Sequence, residues 1–243
     1  MNFAITCLCK AGKEKVVEYQ EFKNHIEKYY DLYENGLKKQ ANKYMDDFVK
    51  EIQIQDDIGK DTILYRFTQE LCDGKEYEYL KERGNGRIPF VFEQYLRTWL
   101  YKRCLENKVP ELRWFYELFC QDKTGCEYAF AFLKKAYESK ECDTKTVNLL
   151  FASYLDVLGW GAHHFPNSCI ITAEVRNDAF SKCKIILSEK EVDNRLQAQL
   201  KYYEILYLCY DNYVNDDKEK DFNQYCKEAN LPFYESKAYY FGA

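Results

Sequence analysis

The chain has 243 residues, of which 47% are hydrophobic and 31% are charged, and it carries a formal net charge of −5. The hydrophobic fraction excludes general disorder, and no uncharged apolar run approaches the ~20 residues of a bilayer-spanning helix. The first residues show no basic stretch before their short apolar run and no small-residue cleavage site, which favours a cytoplasmic protein without a membrane partner. No long basic run occurs, so free nucleic acid is not an expected partner.

Apolar residues recur at helical spacing, and only ten glycines and four prolines interrupt them. Residues 2–9 alternate and fit either a short strand or a frayed helix start. A first helix is predicted to end at Asn35-Gly36, because glycine readily adopts the left-handed conformation there. After a second helix, a third is predicted to follow Gly59, with Asp61 accepting hydrogen bonds from its first amides.

The next predicted helices are marked by proline. A Gly-Asn-Gly segment lies within residues 83–89, where we place a possible sub-domain seam. Pro89 and Pro110 suit the first turns of two helices, because a missing N–H costs nothing there. Asp143 or Thr144 is predicted to cap a later helix.

The C-terminal third has two further helix signals. The helix that begins near residue 144 is predicted to stop at Gly159. Ser188 and Glu191 match the capping-box pattern, which predicts a long helix over about 189–214 and a last helix near 217–229. The sequence therefore predicts an all-α fold of stacked antiparallel helical hairpins, either solenoid-like or an irregular bundle, over residues 1–243 as a single domain.

Eleven cysteines are scattered through the chain, mostly one at a time within predicted helices. This pattern favours buried free thiols over a disulfide framework. No C-x-x-C or H-E-x-x-H element occurs, so neither a metal nor a cofactor is expected.

The segment from Gly159 to Cys169 breaks the helical pattern and is the first site candidate. It contains Trp160, His163, His164 and Phe165. One interpretation is a packed corner between helices, and another is a loop that contacts a partner protein. Catalysis or a zinc site that includes Cys169 would need further groups that no motif supplies.

A second candidate lies on the helix that Pro110 opens. Arg113 and Glu117 are four residues apart and can form a surface ion pair. Alternatively, Arg113, Trp114 and Glu117 line a groove, since Trp and Arg are enriched at binding hot spots.

A third candidate is an acidic run near the C-terminus that contains Asp211, Asp216, Asp217 and Glu219. It is not a calcium loop, because the EF-hand spacing fails at Tyr213 and the required glycine is absent. A solvated helix connection and an acidic patch for a basic partner both remain open.

No phosphate loop, nucleophile elbow, kinase set or dinucleotide fingerprint occurs, so no catalytic residue is assigned. Tyrosines outside the apolar stripes offer contact area at low entropic cost. We therefore expect a protein-binding module, in its sharpest form an acidic inhibitor of the immunity or antitoxin kind that masks a basic partner. The alternative is an enzyme or nucleotide-handling domain with a pocket at His163 and His164.

Overall fold

A computed structural model of the chain describes residues 19–74, 88–120, 126–216 and 221–231. Helices contain 80% of these residues, and no strand occurs among them, so the all-α prediction is confirmed. The packing is compatible with a solenoid-like arrangement without establishing one. The expected strand at residues 2–9 lies outside the described residues.

The chain folds into two compact units, Met1–Phe132 and Leu133–Ala243. Most of the seam predicted at 83–89 lies outside the described residues, so that seam and the single-domain organisation stay predictions. No helix in the described part of the chain is both long enough and apolar enough to cross a bilayer.

The first unit is built around Phe22, which is fully buried. Its ring lies 5.2–5.6 Å from those of Phe48, Phe67 and Phe92, which come from three other helices. Gly36 adopts φ +79° between the first two helices, as predicted. The described helices of this unit are α1 Tyr19–Glu34, α2 Lys38–Gln53, α3 Asp57–Asp73, α4 Phe90–Cys104 and α5 Val109–Phe119, and α6 Cys126–Glu138 continues into the second unit.

The predicted start of α3 is wrong by five residues. Asp56 caps this helix by accepting a hydrogen bond from the Gly59 amide at 2.6 Å. Asp61 instead lies within the helix and accepts hydrogen bonds from Trp99 Nε1 at 2.6 Å and from Arg103 at 3.2 Å. Its carboxylate therefore links α3 to α4.

The second unit contains four described helices after the end of α6. Its central helix, α7, packs against both α8 and α9. Asp143 caps α7 by accepting a hydrogen bond from the Thr146 amide at 2.7 Å, which confirms that prediction. The bounds are α7 Thr144–Ala162, α8 Ala173–Glu189, α9 Asn194–Asn215 and α10 Phe222–Glu228.

Two predicted boundaries in this unit are wrong. The helix α7 does not stop at Gly159 but continues for three more residues. The residues of the expected capping box at Ser188 close α8 instead of opening a helix. Asp193 caps α9, with its side chain 2.7 Å from the Arg195 amide.

Candidate functional site

The end of α7 is held closely against α9. The Tyr207 hydroxyl donates a hydrogen bond to the Leu158 carbonyl at 2.9 Å. A Cβ atom added to Gly161 would overlap that hydroxyl and lie 2.5 Å from the Ile171 side chain. Glycine here permits close packing of two helices, so it does not mark a helix end.

Phe165 anchors the turn that follows α7. Its side chain is fully buried and stacks on the Tyr210 ring, with centroids 4.0 Å apart. Tyr207 and Phe222 contact the same ring edge-on. Phe165 therefore belongs to the core, and its predicted role as a partner-contacting residue is not compatible with this burial.

Trp160, His163 and His164 lie on the outer side of this anchored segment. Trp160 is 62% exposed, and both histidines are exposed. The Trp160 and His163 ring centroids are 5.8 Å apart, and those of the two histidines are 5.1 Å apart. The structure thus brings three of the four predicted residues into one exposed aromatic cluster on a rigid base.

Asp156 belongs to the same face of α7, one turn before Trp160, and sequence analysis missed it. The residue is exposed, but neighbouring atoms bury part of its carboxyl and raise the pKa of that group above its ordinary value. The signal was its spacing of four residues from Trp160, which only becomes meaningful once the helix extends past Gly159.

The second predicted candidate is part of the interior of the first unit. Arg113 and Trp114 are 3% and 1% exposed, so neither side chain is part of an exposed groove in this structure. Arg113 donates two hydrogen bonds to the Asp73 carboxylate at 2.8 and 2.9 Å and also pairs with Glu117. Trp114 Nε1 donates to the same carboxylate at 2.7 Å. Arg113 and Glu117 form the predicted ion pair, but its predicted surface position is wrong, because their side chains are only 4% and 17% exposed. The network joins the end of α3 to α5.

The acidic run is described only in part. Asp211 pairs with Arg176 at 2.8 Å. Asp216 is exposed and accepts a hydrogen bond from the Tyr225 hydroxyl at 2.9 Å. Asp217 and Glu219 lie outside the described residues. Internal pairing therefore neutralises Asp211, while Asp216 keeps an exposed carboxylate.

An open groove of about 760 Å³ runs along α8 and α9. Its charged groups pair across the two helices, because Arg176 contacts Asp211 and Lys184 contacts Glu204 at 3.0 Å. Ile185 lines the groove and is 45% exposed. Neither His163 nor His164 contributes to its lining, so the groove does not form the pocket that the enzyme alternative expects.

Eight of the eleven cysteines are free thiols in the described part of the structure: Cys72, Cys104, Cys120, Cys142, Cys169, Cys183, Cys209 and Cys226. Burial raises the pKa of both Cys183 and Cys226 to about 12, with a smaller contribution at Cys226 from the nearby Cys209 thiol. Within the described ranges, no three His, Cys, Asp or Glu side chains form a group that could hold a metal ion.

Comparison with known proteins does not assign the chain to a family. No protein-family model, curated protein or solved structure gives a significant match to it.

Proposed function

We propose that this chain is a protein-binding helical module that recognises its partner through the end of α7. The observation that carries the proposal is the 62% exposure of Trp160 above a buried aromatic base. Tryptophan is among the residue types most enriched at interface hot spots. A large exposed indole on a firmly held helix end offers contact area at a low ordering cost on binding.

The rigidity of the base follows from the contacts beneath the cluster. Phe165 and Tyr207 are buried, and the Tyr207 hydroxyl fixes the Leu158 carbonyl. The last turn of α7 is therefore held from both sides of the Trp160 position. Binding residues often lie on a connecting segment that a rigid scaffold holds in position, and the end of α7 has this arrangement.

The charge of the chain supports a basic partner. Residues 161–243 contain 10 basic and 13 acidic side chains. Asp156 and Asp216 expose carboxylates in the second unit, and such groups steer a positively charged protein toward a surface. In its most specific form, the proposal is an acidic inhibitor of the immunity or antitoxin kind that masks a basic protein.

The enzyme alternative is kept as a hypothesis with a defined test. It requires turnover of a metabolite that is lost in His163→Ala while the fold is retained. The histidines are exposed and adjacent, which leaves them accessible to a small molecule. No second observation in the described residues favours a particular reaction.

The experiment uses the tagged full chain as bait in an extract of its source cells. Three baits are compared: wild type, Trp160→Ala and Val175→Ala, in which Val175 is an exposed side chain of α8, 45% accessible. We expect a basic protein at about one copy per bait with wild type and Val175→Ala, and its loss with Trp160→Ala. Equal recovery with all three folded baits would contradict the placement of the surface, and the absence of any stoichiometric partner would contradict the function.

A further inference from the structure

Three polar and aromatic side chains form one stripe along the end of α7. Asp156, Trp160 and His163 are spaced by four and three residues, which places them on the same face of the helix. All three are exposed. His163 lies beside the indole, with ring centroids 5.8 Å apart, which leaves the remaining indole surface to solvent.

Asp156 is the carboxylate of this stripe, and it forms no ion pair or hydrogen bond with the described residues. Partial burial of the carboxyl disfavours its charged form, and no cation among those residues offsets that cost. The last turn of α7 also contains no lysine or arginine, although the C-terminal end of a helix attracts positive charge. A cation placed beside Asp156 would offset the cost of the partial burial and would also interact favourably with the C-terminal end of α7.

The aromatic member of the stripe favours the same ligand. The indole face of tryptophan is the best cation–π acceptor among the side chains. A guanidinium group can stack on an aromatic face while it donates hydrogen bonds to a carboxylate. Trp160 and Asp156 are neighbours on the helix surface, about 5–6 Å apart between Cβ atoms in an ideal helix, which matches the size of such a group.

We propose that Trp160 and Asp156 form a binding site for an arginine or lysine side chain of the partner protein. The inference rests on the proposed function and specifies what the partner contributes at its centre. The groove along α8 and α9 does not offer an equivalent site, because its carboxylates Asp211 and Glu204 already pair with Arg176 and Lys184.

The test uses a defined peptide, so it does not depend on isolating a partner. Acetyl-Gly-Arg-Gly-Arg-Gly-amide is titrated into the full chain labelled with ¹⁵N-tryptophan, and the three indole N–H signals are followed by NMR. The matched peptide replaces each arginine with citrulline, which keeps the shape and removes the charge. Trp160→Phe assigns the Trp160 signal by its absence.

The arginine peptide is expected to shift the Trp160 signal in a saturable manner and to leave those of Trp99 and Trp114 unchanged. The citrulline peptide should bind at least threefold more weakly. Asp156→Asn should lower the affinity for the arginine peptide about threefold, which is the effect expected for one exposed charge pair. Glu191→Gln removes the same charge from an exposed position between α8 and α9 and should leave the affinity unchanged.

Two results would overturn the proposal. One is that the Trp160 signal does not shift even at the highest peptide concentration of the titration. The other is that the arginine and citrulline peptides bind wild type and Asp156→Asn with equal affinity. If a stoichiometric partner is captured through Trp160 while these results hold, the protein-binding function stands and the cation site is wrong. If the peptide binds as expected and no partner is captured, the site stands and the function is wrong.

Discussion

Replacement of Arg113 by methionine is predicted to destabilise the first unit strongly. The Arg113 side chain is 4% exposed and faces two carboxylates, Asp73 and Glu117, whose side chains are 31% and 17% exposed. Methionine fills most of the volume of the arginine stem but removes both ion pairs. The partly buried carboxylates of Asp73 and Glu117 then lose the guanidinium that lies between them.

The magnitude follows from this geometry. Removal of one partner from a fully buried pair costs about 3–5 kcal/mol, because the remaining charge stays desolvated. Since water reaches about a third of the Asp73 side chain, we reduce this to about 2–4 kcal/mol. The loss is large relative to a total stability of about 5–15 kcal/mol.

The assay is equilibrium unfolding in urea followed by circular dichroism, with the free energy of unfolding extrapolated to water. Lys50→Met is the matched control, because Lys50 forms an exposed pair with Asp46 at side-chain exposures of 62% and 49%. Its expected cost is about 0.5 kcal/mol or less. If Arg113→Met costs no more than the Lys50 variant, the reasoning about the buried network is refuted.

Three further predictions concern the second unit. Gly161→Ala should lower the free energy of unfolding in urea titrations by about 1–3 kcal/mol, because the added Cβ would overlap the Tyr207 hydroxyl. Alanine favours helices more than glycine does, so a stabilised variant would contradict the close packing. Asp143→Ala should cost about 1 kcal/mol in the same assay through loss of the α7 cap, and an unchanged midpoint would show that the cap is dispensable. Cys183 and Cys226 should resist a thiol reagent at pH 8 in the native protein and react fully in denaturant, because a pKa raised to about 12 leaves almost no reactive thiolate at that pH. Rapid labelling of either cysteine in the native protein, located by peptide mapping, would contradict their burial.

Local signals correctly predicted the helix boundaries at Gly36 and Asp143. Gly36 and Asp143 act through neighbouring backbone atoms, so the sequence alone contains what is needed to place them. Ser188 and Glu191 fulfil the same kind of local pattern and nevertheless fail. Ser188 still lies inside α8, which ends at Glu189, and Asp193 is the residue that caps α9. The sequence pattern alone does not show that the preceding helix extends through Ser188.

The errors in the candidate site have a non-local cause. Arg113 is buried because Asp73, 40 residues earlier, supplies the opposite charge. Gly161 continues the helix because Tyr207 approaches it from α9. Neither partner can be identified by spacing along the chain. The exposed cluster at Trp160 was found because an aromatic and histidine-rich segment is unusual in itself, whereas Asp156 required the correct helix boundary.

The central claim is that Trp160 anchors a partner protein, and the dissociation rate of the purified complex tests it most directly. The rate constant is measured by surface plasmon resonance for wild type, Trp160→Ala and Val175→Ala, after circular dichroism shows that each is folded. A hot-spot contribution of about 2 kcal/mol predicts dissociation about 30-fold faster for Trp160→Ala and an unchanged rate for Val175→Ala. Identical dissociation rates for all three proteins would contradict the claim.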